Sequence, residues 1–135
     1  MDVEIGSAIA SEVASAAHAH GKLVVGSYHD FARTPDAATL ATVVARGTAL
    51  GADVVKLATT PQDVRDVRLL ASVLISHAED ANLVVIGMGE RAVATRLLFP
   101  ALGSLLTYAF RDEPTGPGQL SLDELAPLVR RLFGG

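Results

Sequence analysis

A regular alternation of strand-like and helix-like stretches constrains the fold of this chain most. Asp2 to Ile5 has strand character. Ser7 to His20 is an Ala-rich helical stretch closed by Gly21. Leu23 to Ser27 is rich in β-formers and leads into the loop His29-Asp30-Phe31-Ala32-Arg33. Thr34-Pro35-Asp36 then reads as a helix start, with a Thr cap, Pro in the first turn and an acid at the positive end of the dipole. That helix is expected to reach about Leu50, with Gly51 after it. Asp53 to Ala58 is the next strand. Thr60 with Asp63 resembles a capping box for a helix reaching about Asp80. Leu83 to Met88 predicts a strand, Arg91 to Leu98 a helix, and Ser104 to Phe110 the last strand. Ser121-Leu122-Asp123-Glu124 is a capping box for a final helix, and Pro127 within its first two turns predicts a distorted or late start.

The result is about five consecutive βα units in one α/β domain spanning residues 1–135, with no linker between them. Two architectures satisfy it. One is a doubly wound five-stranded sheet, complete in itself. The other is a partial (β/α)8 TIM barrel, whose full form takes about 200 residues or more. Periodicity alone favours the first; the site residues below favour the second.

Half the residues are hydrophobic, enough for a buried core, and the formal net charge is only −4. No basic stripe suggests nucleic acid and no polybasic or long apolar run suggests a membrane, so neither is an expected partner. Without cysteine, disulfides, thiolate metal sites and a Cys nucleophile are excluded. A cytoplasmic setting fits, and the first residues lack the basic and apolar regions of a signal peptide.

Lys56 stands inside the apolar strand Ala52-Asp53-Val54-Val55-Lys56-Leu57-Ala58. Burial disfavours an ammonium, and a neutral lysine amine attacks carbonyls to form Schiff bases. The plainer alternative is a strand-end lysine that reaches water. His29 follows Val25 and Ser27 on one face of its strand, where an imidazole can serve as acid and base; otherwise it is a loop histidine bonded to Asp30. His18 and His20 do not share a helical face, which argues against a metal pair. Arg96 suits a carboxylate, or is a solvated helix residue. The loop Thr115-Gly116-Pro117-Gly118-Gln119 offers a hydroxyl and an amide, or simply turns the chain. Gly87-Met88-Gly89-Glu90-Arg91-Ala92 fits G-x-G-x-x-A, with Asp112 and Glu113 roughly 20 residues on, as in a nucleotide-binding unit. The candidates share one position. Each lies near the C-terminal end of a strand or in the loop after it, where a (β/α) barrel gathers its active site.

In order and context these segments resemble the type I 3-dehydroquinate dehydratases. Ser27-Tyr28-His29-Asp30-Phe31 followed by Thr34-Pro35 is similar to S-x-H-D-F-x-x-T-P. Ala52 to Ala58 is similar to A-D-x-x-K-[IL]-A, and Met88 to Arg96 to M-[GA]-x-x-G-x-x-[ST]-R, with Ala92 or Val93 where glycine is usual. Gly103-Ser104 matches a Gly-Ser pair, Thr115 to Gln119 resembles [ST]-A-P-G-Q with Gly116 for alanine, and Asp2-Val3-Glu4 fits a D-[VL]-E strand.

The resemblance implies dehydration of 3-dehydroquinate to 3-dehydroshikimate, in the shikimate route to aromatic amino acids. Lys56 would form the imine at C3, His29 would take the C2 proton and protonate the departing C1 hydroxyl, and Arg96, Thr115 and Gln119 would bind substrate. No metal and no diffusible cofactor is required. The resemblance also implies that this chain is only the C-terminal part of such a barrel, a truncated enzyme without the upstream units. Those units carry a Glu-x-Arg pair, then an Arg followed by the Glu that orients the histidine. On that reading the chain is either a dehydratase completed by the missing N-terminal units, or an inactive half-barrel that binds a partner. A homodimer, or association with the missing units, would cover its open edges and bare core face.

Overall fold

The computed structural model describes residues 1–77 and 79–134. Four strands, β1 (Asp2–Glu4), β2 (Val25–Asp30), β3 (Val54–Thr59) and β4 (Leu83–Gly87), form one sheet in the order β1-β2-β3-β4. Every pairing is parallel, with Ser27 opposite both Glu4 and Lys56, and Lys56 opposite Val84. Helices α1 (Ala10–Ala19), α2 (Ala37–Ala49) and α3 (Val64–His77) join consecutive strands. A doubly wound sheet needs a reversal of strand order at a switch point. This order advances by one neighbour each time, as in successive units of a (β/α)8 barrel, and corrects the five-stranded complete sheet that periodicity favours.

Strand alternation separates two faces. Val55, Leu57, Leu83 and Val85 pack on Leu40, Val43, Val44, Leu70, Leu74 and Phe99. The α2 residues Leu40, Val43, Val44 and Gly47 follow the helical period, so one stripe of the helix lies on the sheet. Gly47 permits the closest approach: a Cβ there would stand 2.7 Å from Val55 Cγ2. The alternate positions, Ser27, Lys56 and Val84, are buried on the opposite face. That face carries the candidate chemistry.

Several boundaries differ from expectation because side chains found other partners. β2 runs through His29 and Asp30 rather than stopping at Ser27. Asp36, not Thr34, caps α2 by accepting from Thr39 N at 2.8 Å, because the Thr34 hydroxyl is bonded to Thr59 Oγ1 at 3.0 Å. Thr60 donates to Asp30 O at 3.1 Å, and Asp63 caps the start of α3 by accepting from Arg65 N. Beyond β4 the expected single helix is a 3-10 turn (Glu90–Ala92) followed by α4 (Thr95–Ala101). The expected fifth strand is reduced to β5 (Ala109–Phe110), paired in parallel with β6 (Leu120–Ser121) outside the main sheet. The last helix, α5 (Leu122–Phe133), starts at its capping box as expected and carries Pro127 within it. Among the described residues, no helix is long and apolar enough to cross a membrane.

Candidate active site

His29, Lys56, Arg96, Thr115 and Gln119 line one cavity of about 250 Å³ at the C-terminal ends of the strands, together with Phe31, Ile86, Met88 and Tyr108. The strands place the first two. Ser27, the residue of β2 paired with Lys56, lies two positions before His29, so period two turns both side chains to the same face.

Lys56 is 8% exposed. Its ammonium is not isolated in apolar surroundings. Nζ donates to Asp2 Oδ2 at 2.8 Å and lies 5.4 Å from the centroid of the Tyr108 ring. Asp2 also accepts from Ser27 Oγ through Oδ1. Burial alone would push the Asp2 carboxyl up. The bonds from Lys56 and Ser27, with the nearby charges of Lys56 and His29, outweigh it and hold the group below the ordinary aspartate range.

His29 is held from the same strand. Its Nδ1 is hydrogen-bonded to Glu4 Oε1. With an ionised carboxylate as acceptor, Nδ1 carries the proton and Nε2 is left as the basic nitrogen. The imidazole also stacks on Phe31, with centroids 5.7 Å apart and planes 6° from parallel. Asp30 does not bond the histidine; its Oδ1 accepts from Ala32 N and Arg33 N and shapes the loop. The glutamate expected to be missing from beside the catalytic histidine therefore has a counterpart within this chain. Its signal was a D-x-E strand next to an S-x-H strand: alternation puts both carboxylates on the site face. The D-[VL]-E match places Asp2 and Glu4 on a strand without giving either a chemical role, and Tyr108 carries no signal of its own in the sequence.

Arg96 is 5% exposed and bonded to main chain on two sides, from Nε to Gly118 O at 2.8 Å and from Nη1 to Tyr108 O at 3.2 Å. Burial lowers its pKa, but a guanidinium remains charged at any physiological pH. Thr115 and Gln119 are joined to each other: Gln119 Oε1 accepts from Thr115 N at 2.7 Å, and Nε2 donates to Thr115 Oγ1 at 3.0 Å. This loop rests on the β4 loop, where Gly89 N donates to Pro117 O at 3.0 Å. Gly118 has φ +70°, and a Cβ there would fall 2.3 Å from Gly89 O.

The same contacts dispose of the nucleotide reading of Gly87 to Ala92. The Gly89 amide is engaged by Pro117, the segment forms a 3-10 turn rather than a helix N-terminus, and Asp112 and Glu113 are exposed. A Cβ on Gly87 would stand 2.7 Å from Ala92 Cβ, so this glycine serves packing of the turn on β4. Among the described residues, no cluster of His, Asp and Glu is placed to hold a metal ion. Elsewhere, His18 Nε2 is paired with Asp53 Oδ2 at 2.9 Å, and that carboxylate also accepts from Val24 N, a structural brace at the N-terminal ends of β2 and β3.

A parallel βα array thus brings a buried lysine and a carboxylate-held histidine into one cavity on a barrel-like scaffold. The sequence model of the type I 3-dehydroquinase family matches residues 1–134, and the chain belongs to that family. The 3-dehydroquinate dehydratase of Methanosarcina barkeri is 39% identical over 98% of this chain and 57% of its own length. That of Thermodesulfovibrio yellowstonii is 32% identical over 96% of this chain and 57% of its own length. The type I 3-dehydroquinate dehydratase of Clostridium difficile, in a crystal structure with covalently modified comenic acid, superposes with a TM-score of 0.88 at 32% identity. It covers 97% of this chain and 54% of that one.

The chain thus spans a little over half the length of these relatives. The family match nevertheless runs through the whole chain from residue 1 to residue 134. The expectation of a merely C-terminal, truncated enzyme that depends on missing N-terminal units is therefore not retained. Within this chain the carboxylate that meets His29 Nδ1 is that of Glu4.

Proposed function

We propose that this chain dehydrates 3-dehydroquinate to 3-dehydroshikimate through a Schiff base on Lys56, as a carbon–oxygen hydro-lyase. The observation that carries the reading is the shared cavity of Lys56 and His29 in a chain of the type I 3-dehydroquinase family. The Lys56 nitrogen attacks the C3 ketone, and water leaves to give a protonated imine. That cation draws electrons from C3 and acidifies the C2–H bond. His29 Nε2, left basic by the Glu4 bond to Nδ1, takes the C2 proton and returns it to the C1 hydroxyl as that group departs. Hydrolysis frees the lysine. Arg96 binds the substrate carboxylate, and Thr115 and Gln119 meet its hydroxyls, so that these residues contribute orientation.

The test is reductive trapping. Borohydride added with 3-dehydroquinate should leave substrate-derived mass on the Lys56 peptide and none on Lys22, the other lysine of the chain. Label on Lys22, or label persisting in Lys56→Ala, refutes the assignment.

A further inference from the structure

We propose that Asp2 is the fixed counter-ion of the Lys56 nitrogen throughout the reaction, keeping the imine protonated, with the Tyr108 ring as the second wall of that cation seat. The inference rests on the Schiff-base reading above and adds a residue to it.

The geometry is specific. Asp2 Oδ2 lies 2.8 Å from Nζ, and Oδ1 is occupied by Ser27 Oγ, which fixes the rotation of the carboxylate. The Tyr108 face lies 5.4 Å from the same nitrogen. A carboxylate and an aromatic face both favour positive charge. The other titratable or charged groups around this nitrogen are His29 from β2, itself held by Glu4 from β1, and Arg96, which lines the same cavity. Asp2 is the anion in direct contact.

Condensation begins with an ammonium and ends with an iminium. The ammonium gives up a proton, the freed pair makes the N–C3 bond, a second proton passes from nitrogen to the carbonyl oxygen, and with the first proton added that oxygen leaves as water. The nitrogen carries one positive charge before and after. An iminium, however, holds its proton more weakly than an ammonium does, and once neutral it no longer draws electrons from C2. A permanent negative charge at Nζ prevents that loss. Asp2 is suited to this because its own carboxyl sits below the usual range and stays ionised. It thus acts as a charge rather than as a proton carrier.

The experiment compares the unsubstituted chain with Asp2→Asn, Tyr108→Leu and Ser27→Ala. Reductive methylation with ¹³C-formaldehyde labels both lysines, and the methyl resonances are followed against pH. In Asp2→Asn the Lys56 titration midpoint should move to lower pH by about one unit or more, with Lys22 unmoved. Tyr108→Leu should move it less, and Ser27→Ala, which keeps the carboxylate, least. In the unsubstituted chain the Lys56 resonance alone should show an acid inflection below the usual aspartate value as Asp2 protonates. That measurement decides the matter even if Asp2→Asn fails to fold. In parallel, cyanoborohydride, which reduces the protonated imine, is used with 3-dehydroquinate. The alkaline limit of trapping should retreat to lower pH in Asp2→Asn by a similar amount. An unmoved midpoint together with no acid inflection overturns the role of Asp2. Absence of any dehydroquinate adduct in the unsubstituted chain overturns the function proposed above, while the methyl titration still decides what Asp2 does.

Discussion

The β1–β4 sheet and the segment from Met88 to Ser121 contribute to one cavity by different physical means. The sheet carries His29 and Lys56 on regular backbone, where register and alternation set the direction of each side chain. The later segment carries Arg96 in the first turn of the short helix α4 and Thr115 and Gln119 on irregular backbone, held together by hydrogen bonds such as Arg96 Nε to Gly118 O and Gly89 N to Pro117 O. The groups proposed to react thus stand where displacement requires breaking a ladder. The groups proposed to hold substrate stand where loss of one or two bonds suffices. A division of this kind lets binding be retuned without disturbing the chemistry.

Lys56→Ala should have the largest effect, removing adduct formation entirely in the trapping assay while leaving substrate binding measurable by calorimetry. Next comes stability. Leu57 is 0% exposed in the middle of β3, and Leu57→Ala should cost about 2–5 kcal/mol in urea unfolding. Leu106 in the later segment is 48% exposed, and Leu106→Ala should stay within about 0.5 kcal/mol. Equal losses at the two sites would break the contrast. Gly118→Ala combines a positive φ with a clash against Gly89 O. About 1–3 kcal/mol of strain should lift the loop from Arg96 and weaken half-saturation by 3-dehydroquinate roughly 5- to 100-fold, with little change in melting temperature. Thr115→Ala removes one neutral partner of Gln119 and should weaken binding by only about 0.5–1.5 kcal/mol.

The smallest effect is an acid one. Because the folded Asp2 carboxyl is depressed, its stabilisation is present above the unfolded value of about 3.9 and lost as pH falls through the lower folded value. The gap in melting temperature between the unsubstituted chain and Asp2→Asn should therefore narrow below about pH 4.

Legibility in the sequence follows the same division. The βα rhythm, the strand faces and the placement of His29 and Lys56 were readable because period two and period 3.6 are local properties. Arg96 and the Thr115–Gln119 loop stood out as candidates beyond strand ends, but local pattern left each beside a plain alternative, since nothing local says where a loop will fold back. Asp2 and Glu4 are legible as a strand but not as site groups, because two acids on a three-residue strand look like solvated surface until Ser27 and His29 are placed beside them. The fifth strand was over-read for a tertiary reason. Arg96 Nη1 donates to Tyr108 O, so a carbonyl that a longer ladder would use is engaged by a side chain instead.

Ser104 has a consequence outside catalysis. Its buried hydroxyl accepts from Val85 N at 3.0 Å and donates to Leu106 O at 3.3 Å, while Leu105 N donates to Leu83 O at 2.9 Å. Two successive outward positions of β4 are thereby engaged by a stretch that is not itself a strand. A foreign peptide that tried to add to this side would have to expel a serine already seated there. The hydroxyl therefore works as a stopper against templated polymerisation. It guards the flank of an apolar strand, Leu83-Val84-Val85-Ile86, whose composition would otherwise suit it to fibril growth.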